Sequence, residues 1–420
     1  MRHDIKTAQH GPMGETMAKA VSTCVHCGFC LSACPTYQEL GRETDSPRGR
    51  IILMKEVLEG SLPIETAAPH IDACLGCLAC VPACPSEVPY GDLISPFRAI
   101  QEPKRKRTLA ERFKRTLAQW TLPYPARFRM AARTGRLVKP FARLMPGPIR
   151  VMLELLPPAL PKSIPLREVY PALGERRGRV ALLAGCAQTV LDPDINAATI
   201  DVLNRNGVEV VVPKSQGCCG ALSWHVGNLA QAQKFAKQNL DAFPSDVDAI
   251  VTNAAGCGSG LHEYALILKG TADESRAVEF TKRVCDVSVY LSRLGRLAPF
   301  PESQSTLTVA YHDACHLANA QGIRAQPRQL LQQVPGLKLL EIADGHLCCG
   351  SAGTYNIDQP EIADSLGRQK ADNIVATEAD VVAMGNIGCL TQIANHLERR
   401  DSAIRPRHTM QILRDAYQAT

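Results

Sequence analysis

The chain has 420 residues, 45% hydrophobic and 21% charged, with a formal net charge of +6. That length suggests two or three domains, and the composition is that of an ordinary folded, soluble protein. No apolar run reaches the about 18 residues that a membrane-spanning helix needs. The first twenty residues have no apolar core after their basic residues, so no signal peptide is expected. Seventeen cysteines without a secretion signal point to a reducing compartment and to ligand chemistry. The expected location is therefore cytoplasmic.

In chain order, the first element with chemistry is a cysteine run. Cys24, Cys27, Cys30 and Cys34 read C-x2-C-x2-C-x3-C-P, and Cys74, Cys77, Cys80 and Cys84 repeat the spacing, with Pro85 matching Pro35. This is the bacterial ferredoxin spacing for 4Fe–4S cubanes. Each iron corner takes one soft thiolate, and three cysteines two residues apart wrap one face of the cube. In two-cluster proteins the fourth cysteine ligates the other cluster. The expected ligand sets are therefore Cys24, Cys27, Cys30 and Cys84 for one cluster, and Cys74, Cys77, Cys80 and Cys34 for the other. Zinc sites favour two CxxC pairs across a long gap, and disulfide frameworks suit small secreted chains, so both fit less well. The module spans 15–100 and should be mainly helical. Between the runs, Ser46, Pro47 and Gly60 mark the start and end of a helix that joins the two clusters. On it, Arg48 and Arg50 either offset cluster charge or are simply exposed.

Residues 101–175 read as a connector. Fourteen Lys or Arg against one acid, Glu111, fall between 104 and 150, and ten prolines follow from Pro123 to Pro171. Helices are expected near 108–119 and 126–145, and the prolines forbid one long helix beyond them. The segment should wrap over partners or over the rest of the chain. A basic stretch suits nucleic acid, an anionic lipid surface or an acidic protein. The interleaved Trp120, Phe128, Phe141 and Leu144 fit a membrane surface or a protein dock, and no nucleic-acid motif is present. The patch could equally be a solvated surface with no partner.

Two copies of one α/β unit follow, at 176–300 and 301–420. Cys186, Cys218, Cys219 and Cys257 recur as Cys315, Cys348, Cys349 and Cys389, at offsets of 129, 130 and 132 residues. RVALLAG, NAATIDVLNRNG and VEVVVP make a strand–helix–strand start, matched by LTVAYHD, a helix near 324–334 and LKLLEIA. The cysteines fall at strand ends or in glycine-bearing loops, where α/β domains build sites. Cys285 fits neither copy and reads as a buried small hydrophobe. No GxGxxG opens a strand–helix unit, so no dinucleotide site is expected here.

The double ferredoxin run followed by two "CCG" domains resembles the iron–sulfur subunits of bacterial flavin-linked dehydrogenases. The phrases CVHCGFCLSACPTYQELGRETDSPRGRI, AGCAQTVLDPDINAATIDVLNRNGVEV and HLCCGSAGTYNIDQPEIA are most similar to the glycolate oxidase iron–sulfur subunits. That resemblance implies an electron-transfer subunit with no catalytic residue or substrate site of its own. FAD would lie on partner glycolate oxidase subunits, glycolate would go to glyoxylate there, and electrons would leave through this chain to quinone or another membrane acceptor. The chain would then sit peripherally on the cytoplasmic face of the inner membrane. Glycerol 3-phosphate or lactate dehydrogenases, and heterodisulfide-type thiol chemistry, are the alternatives.

The fullest family pattern, C…CC…CxxC, is incomplete. Gly260 and Gln392 stand where each copy would carry its last cysteine. Four thiolates per copy still suffice for a further iron–sulfur cluster, for zinc, or for a metal-free thiol set. His316, beside Cys315, is either a ligand, a donor to one, or a solvent-side residue.

Overall fold

The computed structural model describes residues 3–145, 147–157, 159–302 and 306–418. Connector residues Pro146 and Pro158 lie outside that description, as do the side chains of Arg143 and Pro148.

The N-terminal module is helical, with helices Gly14–Thr23, Pro35–Leu40, Pro47–Glu59, Ile64–Asp72 and Gly91–Gln101. The helix between the cysteine runs begins and ends where the sequence predicts. Ser46 Oγ accepts from the Gly49 amide at 3.0 Å, Pro47 occupies the first turn, and Gly60 closes the helix at φ +80°. Met17, Met54, Leu93 and Phe97 are buried in its core. Burying each such side chain contributes roughly 1.5–3 kcal/mol. That core is continuous with Leu183, Phe235 and Tyr264 of the first repeat.

The connector forms helices Leu109–Thr121 and Pro125–Val138, a 3-10 turn Lys139–Leu144 and a helix Gly147–Glu154. Glu111, the single acid of the stretch, is spent on a capping box with Thr108. The helix expected over 126–145 stops at Val138. Pro140 lacks the amide that would continue it and sits in the first turn of the 3-10 segment.

The connector's charge also differs from expectation. Much of its anionic counterpart comes from the chain itself. Arg105 bonds Asp72 at 2.7 Å, Arg107 bonds Glu102 at 2.7 Å, and Arg115 and Lys114 approach Glu102 and Asp358 at 3.2 and 3.6 Å. The connector leaves both apolar and basic side chains outward: Leu109, Phe113, Trp120, Met130, Leu137, Phe141 and Leu144 are exposed, as are Lys104, Lys106, Arg112 and Arg133.

Two sheets carry the repeat. The first contains β1 (Val169–Tyr170), β2 (Gly178–Leu183), β3 (Val208–Val211), β4 (Ala249–Thr252) and β5 (Val284–Asp286), in the order β1-β3-β2-β4-β5. The second contains β6 (Leu307–Tyr311), β7 (Leu337–Glu341), β8 (Val381–Met384) and β9 (Arg405–His408), in the order β7-β6-β8-β9. Apart from the antiparallel edge strand β1, pairing is parallel and the order is the same in both. The strand β4 is buried along its whole length, as parallel strands covered on both faces are. The two sheets meet near their carboxyl ends. The Ala255 amide donates to Gly385 O at 2.9 Å, and His408 Nε2 lies 2.8 Å from Asn253 O. Cys285, on β5, is buried among Val251, Tyr290 and Tyr311.

The glycine of each Cys-Cys-Gly has a steric reason. Gly220 and Gly350 have φ of +80° and +84°, which disfavours a side chain. A Cβ on Gly350 would lie 2.5 Å from Ala363 O, and one on Gly220 3.4 Å from Ala232 O. Gly350→Ala is expected to cost about 1–3 kcal/mol and Gly220→Ala less. Thermal melting of the two variants checks the order; equal melting temperatures would refute it.

Candidate metal centres

The two ferredoxin runs fold alike. In the first, His26 and Gly28 have φ of 57° and 89°; in the second, the corresponding Gly76 and Leu78 have φ of 66° and 57°. Left-handed residues at the same two places turn successive amides inward and make an anion-binding concavity. His26 and Leu78 adopt this conformation without being glycine, a strain that a functional loop tolerates.

Cys24, Cys27, Cys30, Cys80 and Cys84 line one small cavity. Burial pushes the Cys24 thiol up, and the neighbouring Cys84 and Cys27 add to the shift. Cys30 is pushed up to about 11, again chiefly by burial. Cys34 lies on the other side, within electrostatic reach of Cys77 and Cys80. Crowded thiols with raised pKa are what a metal cluster relieves, because ligation holds them as thiolates.

Arginines supply the opposite charge. Arg50 is not exposed: it is 1% accessible, bonds His70 O at 2.7 Å and reaches Cys34 Sγ at 3.8 Å. Arg98 donates to Ile71 O and Cys74 O at 2.7 Å and to His225 O at 3.1 Å. Burial opposes ionisation of Cys74, but Arg50 and Arg98 outweigh it and hold this thiol below its ordinary range. Arg48 is more exposed; it pairs with Glu43 and donates to His26 O at 3.1 Å.

In the repeat, cysteines from three strand ends converge in each copy. Cys186 follows β2, Cys218 and Cys219 follow β3, and Cys257 begins the helix after β4. Cys186 and Cys218 sulfurs are 3.4 Å apart. Asn239 and Tyr264 hold the pair's carbonyls, at 2.9 Å from Cys218 O and 3.0 Å from Cys219 O. Hydrogen bonds from Cys218 and Cys257 hold the Cys219 thiol well below its usual value. In the second copy Cys315 and Cys348 sulfurs are 4.0 Å apart, and Cys349 neighbours Cys389.

A cavity of about 500 Å3 joins these parts. Cys74 and Leu75 of the ferredoxin module, all four first-copy cysteines, and Cys315 line it, and Phe128, Leu153 and Leu156 of the connector help to enclose it. His316 is not solvent-side: it is half-buried in this cavity, with its ring 5.3 Å from that of His225. Burial and the neighbouring His225 lower it to about 4. The second ferredoxin run is clamped to the second copy, Tyr355 Oη donating to Ala73 O at 2.8 Å and Asn319 Nδ2 to Cys77 O at 3.1 Å.

One site residue escapes sequence reasoning. His312, Cys349 and Cys389 lie together in the second copy. The signal was an H-x2-C spacing into Cys315, with leucine at the matching place in the first copy.

A two-run ferredoxin module packed against duplicated α/β domains with strand-end cysteines defines an iron–sulfur electron-transfer protein. A 4Fe–4S dicluster domain model matches residues 20–88, and a cysteine-rich domain model matches 180–262 and 309–394. The chain is 36% identical to the glycolate oxidase iron-sulfur subunit of Escherichia coli, covering 89% of each. It is 37% identical to the probable glycolate oxidase iron-sulfur subunit of Bacillus subtilis, over 94% of this chain and 93% of that one. Lactate utilization protein A of Oceanobacillus iheyensis is 29% identical over 56% of this chain and 96% of its own length. The chain belongs to the glycolate oxidase iron–sulfur subunit family.

Proposed function

We propose that the chain carries electrons within a flavin-dependent glycolate dehydrogenase, from an FAD subunit that oxidises glycolate to glyoxylate toward a membrane acceptor such as quinone. The observation that carries this reading is the continuity of thiol sites. Cys84 neighbours the first run, Cys34 the second, and Cys74 opens on the cavity that the first-copy cysteines line. Bound clusters would supply one-electron steps, which is what a two-electron flavin donor requires downstream. The chain's own residues fold the runs, offset thiolate charge and exclude water.

The test is purification of the intact complex from its native membrane extract. Co-purification of an FAD protein and glycolate-dependent reduction of a quinone analogue are expected. Preference for lactate or glycerol 3-phosphate would move the chain to another flavoprotein. Disulfide reduction by the isolated chain would favour thiol chemistry at Cys219 instead.

The ligand sets are proposed as crossed: Cys24, Cys27, Cys30 with Cys84, and Cys74, Cys77, Cys80 with Cys34. Cys34→Ser should alter the EPR signal of one cluster and Cys84→Ser that of the other. Loss of the same signal in both variants would refute the crossing.

The connector is proposed as the peripheral membrane contact. Leu109, Phe113 and Trp120 are exposed on one helix with Arg112 between them, a pattern suited to shallow insertion at an anionic surface. No helix among the described residues is long and apolar enough to cross a membrane. The complex should float with anionic vesicles, and Phe113→Ser with Trp120→Ser should reduce the bound fraction at least several-fold while iron content holds. Unchanged flotation of that variant would remove the connector from the interface.

A further inference from the structure

The second cysteine set contains more than a copy of the first. His312 leaves the end of β6, Cys349 follows β7, and Cys389 lies in the first turn of the helix after β8. A ring nitrogen of His312 and the two sulfurs all lie within 4.8 Å of one another, and all three residues are buried. His312 is 1% exposed, and neither of its ring nitrogens has a hydrogen-bond partner among the described residues. A buried polar group left unpaired costs about 1–3 kcal/mol. A metal ion is the partner that this arrangement of one imidazole and two thiols fits.

The first copy differs at this place. Leu183, buried and apolar, occupies the position that His312 takes in the second. The surroundings diverge as well. All four first-copy cysteines line the shared cavity, whereas only Cys315 of the second copy does. Cys315 and Cys348 pack in one apolar cluster with Cys77 of the ferredoxin module; Cys349 and Cys389 pack in another, with Ala310, Leu317 and Ile393. The two clusters meet at the adjacent pair, where the Cys348 and Cys349 thiols hydrogen-bond each other.

We propose that His312, Cys349 and Cys389 form a mononuclear site for a redox-silent ion of the zinc class. This deepens the iron–sulfur reading above by confining redox chemistry of the repeat to the first copy. Mixed nitrogen and sulfur donors at one point suit zinc, and the three protein donors leave its fourth tetrahedral position to a further ligand. Binding releases the two thiol protons and leaves imidazole neutral, so the three donors carry two negative charges against the ion's two positive ones. The surroundings support ligation. Asn386 Nδ2 donates to Cys389 Sγ at 3.3 Å, and it holds that sulfur from the side of the first copy, since its Oδ1 accepts from the Gly256 amide at 3.2 Å. Lys370, buried and anchored on Asp344 O at 2.8 Å, lies near Cys348 and Cys349, and its burial disfavours the charged form. The ion would tie together the ends of β6, β7 and β8, three of the four strands of the second sheet.

The test measures zinc and iron in the intact purified protein, wild type and His312→Leu, which installs the residue of the first copy. About one zinc per chain is expected in the wild type, and a loss of at least five-fold in His312→Leu, with iron unchanged. His312→Cys, a variant that keeps a soft donor, should retain the zinc even where the leucine variant folds poorly. Cobalt(II) substitution of the wild type should give sulfur-to-cobalt charge-transfer bands that disappear in His312→Leu. The proposal is overturned if wild-type protein holds no zinc. It is also overturned if zinc is unchanged in His312→Leu, or if about four more iron atoms per chain than two cubanes require are lost in that variant. Iron near zero with zinc retained would instead sink the electron-transfer reading and leave this site standing.

Discussion

Negative sulfur in a dry interior is the constraint on which this structure depends. A thiolate loses its hydration when buried and repels its neighbours, so each crowded site must supply compensation. The chain uses three kinds. Left-handed loop positions at His26, Gly28, Gly76 and Leu78 turn amides toward the first two sites. Buried Arg50 and half-buried Arg98 bring cations to Cys34 and Cys74. In the repeat, the compensation is hydrogen bonding between thiols, which holds Cys219 well below its usual value.

The architecture follows from that requirement. Parallel strands end together, so loops after β2, β3 and β4, and again after β6, β7 and β8, deliver cysteines from distant sequence to one point. Duplication then gives two such points, and packing of the two sheets near their carboxyl ends brings them close. The ferredoxin module occupies the remaining side, joined to the first copy by a common apolar core and to the second by Tyr355 and Asn319. The connector crosses over the cavity between them.

What was legible in the sequence was whatever is decided locally. The helix Pro47–Glu59 carries its own start and stop in Ser46, Pro47 and Gly60, and its limits were plain. The cysteine runs and the repeat were plain for the same reason: spacing encodes them. The break at Val138 was missed because a helical pattern runs on past Pro140, although the proline itself was visible. The fate of the basic stretch was not legible, because Asp72, Glu102 and Asp358, which pair with Arg105, Arg107, Lys114 and Arg115, are set beside it only by the fold. His312 was hidden similarly. Its proximity to Cys349 and Cys389 depends on β6, β7 and β8 lying side by side, which no spacing along the chain expresses.

The continuous core between the helical module and the first repeat has a kinetic consequence. Met17, Leu93 and Phe97 pack in one apolar cluster with Leu183, Phe235 and Tyr264, and Lys269 reaches across to Thr16. No swivel separates the two parts, unlike carriers that shuttle a mobile head between donor and acceptor. The distance between their thiol sites is set by side-chain packing, which resists compression and does not drift. On the electron-transfer reading proposed above, traffic between the two parts would cross a fixed gap by tunnelling, and thickening the solvent should leave its rate untouched.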